Sequence, residues 1–266
     1  MQLLLLLLAF FLPLGAQAEE IIGGHEAKRY SRPYMAFLQI SNKGKENQKC
    51  SGFLISKDFV LTAAHCWGSS INVTLGALNI KKQEKNRQDI RVRGAACPPE
   101  YNSRDYSSDI MLLQLATKAR LTEAVQPLKL PIGKAQVKPG NNCIVAGWGK
   151  THLEGKVSDT LQEVMLTVQE DEVCKSIFHS KFYKAIQICV GDRNINKHPF
   201  KGDSGGPLVC DNVAQGIVSH GHPNWTSPCV FTRISSFLPW IKKTMKKLQL
   251  RKAASAPCKT NQVLWT

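Results

Sequence analysis

Acid is scarce in this chain: 20 Asp and Glu stand against 35 Lys and Arg, a formal charge of +15. Such a field favours polyanions, whether sulfated glycans, anionic membranes or nucleic acid. No nucleic-acid motif accompanies the charge, which excludes specific nucleic-acid recognition and leaves sulfated, heparin-like glycans as the expected polyanion. Internal repeats and low-complexity linkers are missing too, so nothing marks a repeat array. Past the first eighteen residues, no apolar run approaches the length of a membrane-spanning helix. A transmembrane segment is not expected.

What is there begins with "MQLLLLLLAFFLPLGAQA", an uncharged stretch whose apolar part, Leu3 to Leu14, has signal-peptide length. Ala16-Gln17-Ala18 has the small-x-small form that a signal peptidase cuts, which argues against an N-terminal anchor. Residues 1–18 are therefore predicted to be a signal peptide and the product soluble and secretory. Losing Glu19 and Glu20 as well raises the charge from +15 to +17. The excess is densest at Lys81-Lys82 to Arg93 and at Lys242-Lys243, Lys246-Lys247 and Arg251-Lys252. Roughly 245 residues remain, enough for one large all-β unit or two small domains.

Nine cysteines in a secreted chain imply disulfides and at least one thiol left over. Asn72-Val73-Thr74 and Asn224-Trp225-Thr226 are sequons for glycans. Short β-like runs recur between Gly, Asn, Asp and Pro: "MAFLQI", "GFLISKDFVLTAA", "INVTLGALNI", "DIMLLQL", "CIVAGWG", "PLVC", "AQGIVSHG" and "VFTRI". They read as an all-β barrel or sandwich, single or doubled. One helix is predicted near the end, capped by Ser235-Ser236, with Pro239 in its first turn. Phe237, Leu238, Ile241, Met245 and Leu248 form its apolar face. Beyond Leu250 the pattern dissolves, and residues 251–266 are expected to be a disordered tail.

The strongest chemical signal is "KGDSGGPLVC", residues 201–210. Glycines around Ser204 permit a sharp turn and close approach by a substrate. They also let the Gly202 and Ser204 N–H groups aim at one point, as an oxyanion requires. A serine is a poor nucleophile without a base. "LTAAHCWG" offers His65; the other histidines sit in polar, turn-like contexts that read as surface. The base needs a buried carboxylate, for which Asp58, Asp89, Asp105, Asp109 and Asp159 are candidates. Asp109 stands immediately before the apolar run "IMLLQL", at the edge of a core.

In order, "IIGG", "LTAAHC", "DIMLLQL", "VAGWG" and "GDSGGPLVC" resemble the chymotrypsin-like serine proteases, over Ile21 to about Lys247. The resemblance implies two six-stranded antiparallel Greek-key barrels with a C-terminal helix, a peptidase domain over 21–250, and no cofactor or metal. It implies Ser204 as nucleophile, His65 as base, Asp109 as its orienting carboxylate, and Gly202 and Ser204 as oxyanion hole. "IIGGHEAK", "SRPYMAFLQ", "KAQVKPG" and "WIKKTMKKL" are similar to the granzymes of cytotoxic lymphocytes, in the granzyme B and H branch, with chymase and cathepsin G as relatives. That likeness makes Glu19-Glu20 (residues 19–20) an activation dipeptide. Its removal would free the Ile21 amine to pair with Asp203. It also implies granule localisation, protein substrates, serpin-type inhibitors and a mostly monomeric chain.

The same resemblance pairs Cys50 with Cys66, Cys143 with Cys210, and Cys174 with Cys189. The first closes a loop of about 15 residues, worth roughly 3 kcal/mol in the chain-entropy account, and braces His65. Cys97, Cys229 and Cys258 have no counterpart. They are left free, paired together or bridging to a second molecule, with a buried inert thiol the default for Cys229. His198, Ser219, His220, Gly221 and Cys229 fall on the specificity pocket. His198 takes the base, six residues before the nucleophile, and Cys229 the place where granzyme B carries an arginine. This predicts a largely uncharged pocket and cleavage after aromatic or large apolar residues. The intact Ser204, His65 and Asp109 favour an active endopeptidase over a cationic binding protein on the same fold.

Overall fold

The computed structural model describes residues 23–250 and Cys258, apart from 43, 45, 134, 152–155, 192–196 and 223–226. The signal peptide, Glu19-Glu20, Ile21, Asn224 and all of the tail except Cys258 lie outside the described residues.

A two-residue strand, β1 (His25–Glu26), precedes six that curl into a closed antiparallel barrel. These are β2 (Met35–Ser41), β3 (Gln48–Ser56), β4 (Phe59–Thr62), β5 (Ser70–Leu75), β6 (Gln88–Ala96) and β7 (Met111–Leu115), ordered β2-β3-β4-β7-β6-β5. Alternation sets which residues point inward. In β5, Ile71, Val73 and Leu75 are buried while Asn72 is exposed, so its sequon is accessible. Phe53, Phe59, Leu38, Leu61 and Met111 are fully buried in this half.

The second half supplies β8 (Asn142–Gly147), β9 (Gln162–Thr167), β10 (Gln187–Val190), β11 (Pro207–Cys210), β12 (Val213–His220) and β13 (Cys229–Arg233). With β1 they form a seven-stranded sheet ordered β1-β9-β8-β11-β12-β13-β10. Its far edges meet. The Gln169 N–H donates to the Cys189 carbonyl and the Gly191 N–H to the Thr167 carbonyl, each at 2.8 Å, beside a Val168–Val190 bridge. Six strands thus curl toward a second barrel, and β1 is appended to the outside of β9. This is the predicted all-β architecture. Trp148 is 1% exposed and joins the halves: it packs edge-on to Phe37 of β2, with centroids 5.6 Å apart, and donates to the Leu78 carbonyl.

Two helices follow from local rules. The short α1 (Asp171–Phe178) opens with Asp171 and Glu172, whose charges suit a helix N-terminus, and buries Cys174. It was not expected, since eight residues give too little period to read. The C-terminal α2 (Leu238–Leu250) buries Ile241, Thr244 and Leu248, keeping its lysines exposed. Ser235 and Ser236 do not cap it. They lie in a preceding 3-10 turn, Ile234–Phe237, and Ser236 Oγ donates to the Ala185 carbonyl instead.

The three expected disulfides are present, and a fourth joins Cys97 to Cys258. Of the three cysteines without a counterpart, two pair together and Cys229 is a buried free thiol. The expectation of a wholly disordered tail is corrected at Cys258, which is 4% exposed and tied to the body. Bonded to each other, Cys97 and Cys258 are not available for a disulfide dimer.

Candidate active site

Both barrels contribute to one cleft. His65 lies in a 3-10 turn, Ala64–Cys66, that leaves β4, and small buried Ala63 and Ala64 let it sit against the barrel. Asp109 immediately precedes β7. The backbone ahead of it is unusual: Tyr106 and Ser108 hold positive φ, 55° and 54°. Non-glycine residues adopt that region at a cost of about 1 kcal/mol or more each. The Asn102 N–H to Ser107 carbonyl and Ser107 N–H to Asp105 bonds hold this turn. Its shape sends Asp109 inward, where it is 0% exposed.

His65 Nδ1 lies 2.8 Å from Asp109 Oδ2, and the His65 backbone N–H donates to Oδ1 at 3.0 Å. Ser219 Oγ donates to Oδ2 at 2.6 Å, and Thr232 Oγ1 donates to the Asp109 carbonyl at 2.8 Å. Burial alone would raise the Asp109 pKa, yet the His65 charge, the His65 and Ser219 hydrogen bonds hold it below the usual carboxylate value. Burial likewise works to lower the His65 pKa, but the adjacent carboxylate wins and raises it. The carboxylate fixes His65 with hydrogen on Nδ1, leaving Nε2 as the acceptor. The other aspartate candidates are engaged elsewhere: Asp89 with Arg87, Asp159 with Lys81, Asp105 with Ser107 and Tyr183, and Asp58 in a turn.

Ser204 lines the same cavity as His65, on the turn before β11. That turn is bolted to the first barrel: the Ser51 N–H donates to the Ser204 carbonyl at 2.8 Å and Ser51 Oγ to the Gly202 carbonyl at 3.0 Å. Gly202 has φ of 108° and Gly205 of 83°, and a β-carbon on Gly205 would collide with Thr62. Glycine is required at both. Among the described residues no protein acceptor takes the Gly202 or Ser204 N–H, and no hydrogen bond links Ser204 Oγ to His65. Free donors suit a developing oxyanion, and nucleophile–base bonds commonly tighten only with substrate in place.

Behind the turn, Asp203 is 0% exposed. It accepts from the Gly149 N–H at 2.8 Å and the Phe200 N–H at 2.9 Å. Burial outweighs these two bonds and pushes its pKa up to about 7. Gly147 and Gly149 are glycine for a local reason, since a β-carbon at either would meet this carboxylate.

The cavity beside Ser204, about 270 Å³, holds all five residues expected in the pocket: His198, Ser219, His220, Gly221 and Cys229. Among the described residues no acidic one lines it. Two of its histidines correct the surface reading, because His198 is 2% exposed and His220 is half-buried. Polar neighbours in sequence had masked their place in the cavity wall. His220 stacks on Tyr106 at 5.2 Å, and Tyr106 meets His65 edge-on at 5.7 Å. Burial foremost, with like charge from His65 and Lys181, pushes the His220 pKa down to about 4 against the pull of Asp109 and Asp105. Burial pushes the Cys229 thiol up to about 12, so it stays protonated and unreactive. A β-carbon at Gly221 would lie 3.2 Å from Cys229 Sγ, so glycine keeps the mouth open. Tyr106, Ser51 and Thr232 were not foreseen; "YNSRDYSS" shows only turn-rich polarity. Among the described residues, the one cluster spaced for a metal is Cys50, His65 and Cys66, and its sulfurs are joined to each other.

The Trypsin family profile matches residues 21–241. Human granzyme B is 61% identical over 247 residues, 93% of this chain and 100% of that protein. Human cathepsin G is 54% identical over 257 residues, 97% of this chain and 100% of that protein. The solved structure described as "Structure of GrC" superposes with a TM-score of 0.83 at 54% identity, covering 85% of this chain and 100% of that one.

Proposed function

Because the chain belongs to the Trypsin family and is a serine endopeptidase, we propose that Ser204, His65 and Asp109 are its catalytic triad and that it acts as a granzyme of cytotoxic lymphocyte granules. The observation that carries this is the 2.8 Å bond from His65 Nδ1 to fully buried Asp109, in the cavity that also holds Ser204. His65 Nε2 removes the Ser204 proton as Oγ attacks the scissile carbonyl. The Gly202 and Ser204 N–H groups receive the oxyanion. His65 then hands the proton to the departing amine, and water repeats the sequence to free the acyl group. Asp109 keeps the tautomer and stabilises the imidazolium without taking the proton itself.

The pocket supports cleavage after aromatic or large apolar residues. An acidic side chain would meet a neutral thiol at Cys229 and remain unpaired, at a cost of several kcal/mol. A basic one would find no carboxylate among the described lining residues. Removal of Glu19-Glu20 is proposed to activate the enzyme. The freed Ile21 amine would supply a cation to Asp203, which among the described residues is buried with two N–H donors and no cation. Sulfated glycans are the proposed polyanionic partner, bound through exposed lysines such as those of α2, and retention on heparin should weaken with salt.

The test is peptide-library profiling of protein beginning at Ile21, beside a Ser204→Ala control. Cleavage after Phe, Tyr, Leu or Met, absent from the control, is expected. Cleavage after Asp or Lys would overturn the specificity, and equal activity of the control would overturn the triad.

A further inference from the structure

The pocket floor carries a polar atom that an apolar occupant leaves unused. His198 is 2% exposed and lines the cavity. Its Nδ1 lies 3.2 Å from the Pro199 carbonyl oxygen. A carbonyl only accepts, so Nδ1 carries the hydrogen and donates it. Nε2 is then the bare acceptor of a neutral ring. Burial agrees, lowering the imidazole pKa against the opposing pull of the Pro199 carbonyl. Among the described residues no side chain or backbone group bonds to Nε2, nor is it one of the sealed, unsatisfied polar atoms of the interior. Because His198 lines the cavity, Nε2 is the ring nitrogen left for an occupant.

We infer that His198 Nε2 accepts a hydrogen bond from the phenol hydroxyl of a tyrosine placed before the cut, so that this protease selects Tyr over Phe. This rests on the aromatic-pocket reading above and narrows it. A benzyl ring suits the walls formed by Phe200, Val218 and Pro199. Its para position is where a hydroxyl extends the side chain toward the floor. Phe, Leu and Met bring no donor and would leave a desolvated acceptor unpaired, the arrangement that discriminates hardest between near-isosteres. Lys brings donors but also a cation, and among the described residues the cavity lining has no carboxylate to meet it.

The experiment uses protein beginning at Ile21 and peptides that differ only before the cut: Tyr, Phe and O-methyltyrosine. The methyl ether keeps the ring and oxygen but cannot donate. The kcat/KM for Tyr should exceed that for Phe by about tenfold, and the ether should fall to the Phe value or lower. In His198→Leu, which removes the acceptor, the Tyr-to-Phe ratio should collapse to about one. Should that variant not fold, the three substrates on the parent enzyme decide alone. Equal cutting after Tyr and Phe, or an ether as good as Tyr, would overturn the inference while leaving the aromatic pocket standing. Cleavage after neither, with Asp or Lys peptides cut instead, would remove the pocket reading and this inference with it.

Discussion

Asp109 and Asp203 are both 0% exposed, yet their acidities move in opposite directions. Asp109 faces an imidazole and a hydroxyl and sits below the ordinary carboxylate value. Asp203 faces two backbone N–H groups and rises to about 7. Burial is equal, so partners decide. Donors alone do not offset the loss of water around a carboxylate, whereas donors together with a cation do. The first barrel builds its charged pair from residues within the body. The second gives its carboxylate two backbone N–H donors, and the proposed activation would add the Ile21 amine.

The sharpest way to break the comparison is to remove charge from the first site. Asp109→Asn should lower kcat by about 10⁴-fold, because the amide can hold His65 in the wrong tautomer. In the parent, kcat/KM should rise as pH climbs through the His65 pKa, above the ordinary histidine value of about 6.5. The small residual rate of Asp109→Asn should titrate at lower pH, since the carboxylate that raised it has gone. A fall of only a few fold, measured with a peptide cut after Tyr or Phe, would show that Asp109 does not orient the base.

Next comes the second carboxylate. Protein retaining Glu19-Glu20 should be at least about 100-fold less active than the trimmed form, since its oxyanion donors await the salt bridge. Stability gives an independent reading. Unfolded aspartate titrates near 3.8, and folded Asp203 near 7 when no cation pairs with it. Between those values the native state holds a proton the unfolded chain has lost, so stability falls as pH rises, by a few kcal/mol in all. In the untrimmed protein, Asp203→Asn should flatten that slope in thermal melts from pH 4 to 7. In the trimmed protein the same substitution should destabilise at pH 7. No difference between the two backgrounds would mean that Ile21 does not reach Asp203.

How far these sites could be read before folding differs along the same line. Ser204, His65 and Asp109 stand in short motifs whose glycines and apolar neighbours have direct steric reasons, and the three expected disulfides are in place. The triad's supports were hidden. Ser219, Thr232 and Ser51 reach the site across strands distant in sequence, and the positive φ at Tyr106 and Ser108 leaves no mark on periodicity. His198 does lie outside the strands, and its burial was hidden because the cavity it lines is assembled from residues remote in sequence. Strands β6 and β9 also escaped, since their polar and charged residues broke the apolar runs, and β1 and β10, at two and four residues, were too short to read. Cys258 was separated from Cys97 by too much chain for spacing to join them.

Smaller effects sharpen the account. Cys229→Arg should shift preference before the cut toward Asp by tenfold or more, because the pocket then offers a paired cation. Profiling that shows no gain would place Cys229 away from the substrate. Ser219→Ala removes one of the donors to Asp109 Oδ2 and should cost about fivefold to tenfold in kcat, in keeping with about 1 kcal/mol for one typical hydrogen bond, since Asp109 keeps its other partners. An unchanged rate would assign Ser219 to packing alone.

The most direct measurement is titration of the trimmed protein with a fluorophosphonate, read by intact mass and peptide mapping. The account predicts one equivalent bound, on Ser204, with the untrimmed protein and His65→Ala labelled far more slowly. Labelling at another residue, or equal rates in trimmed, untrimmed and His65→Ala proteins, would contradict it.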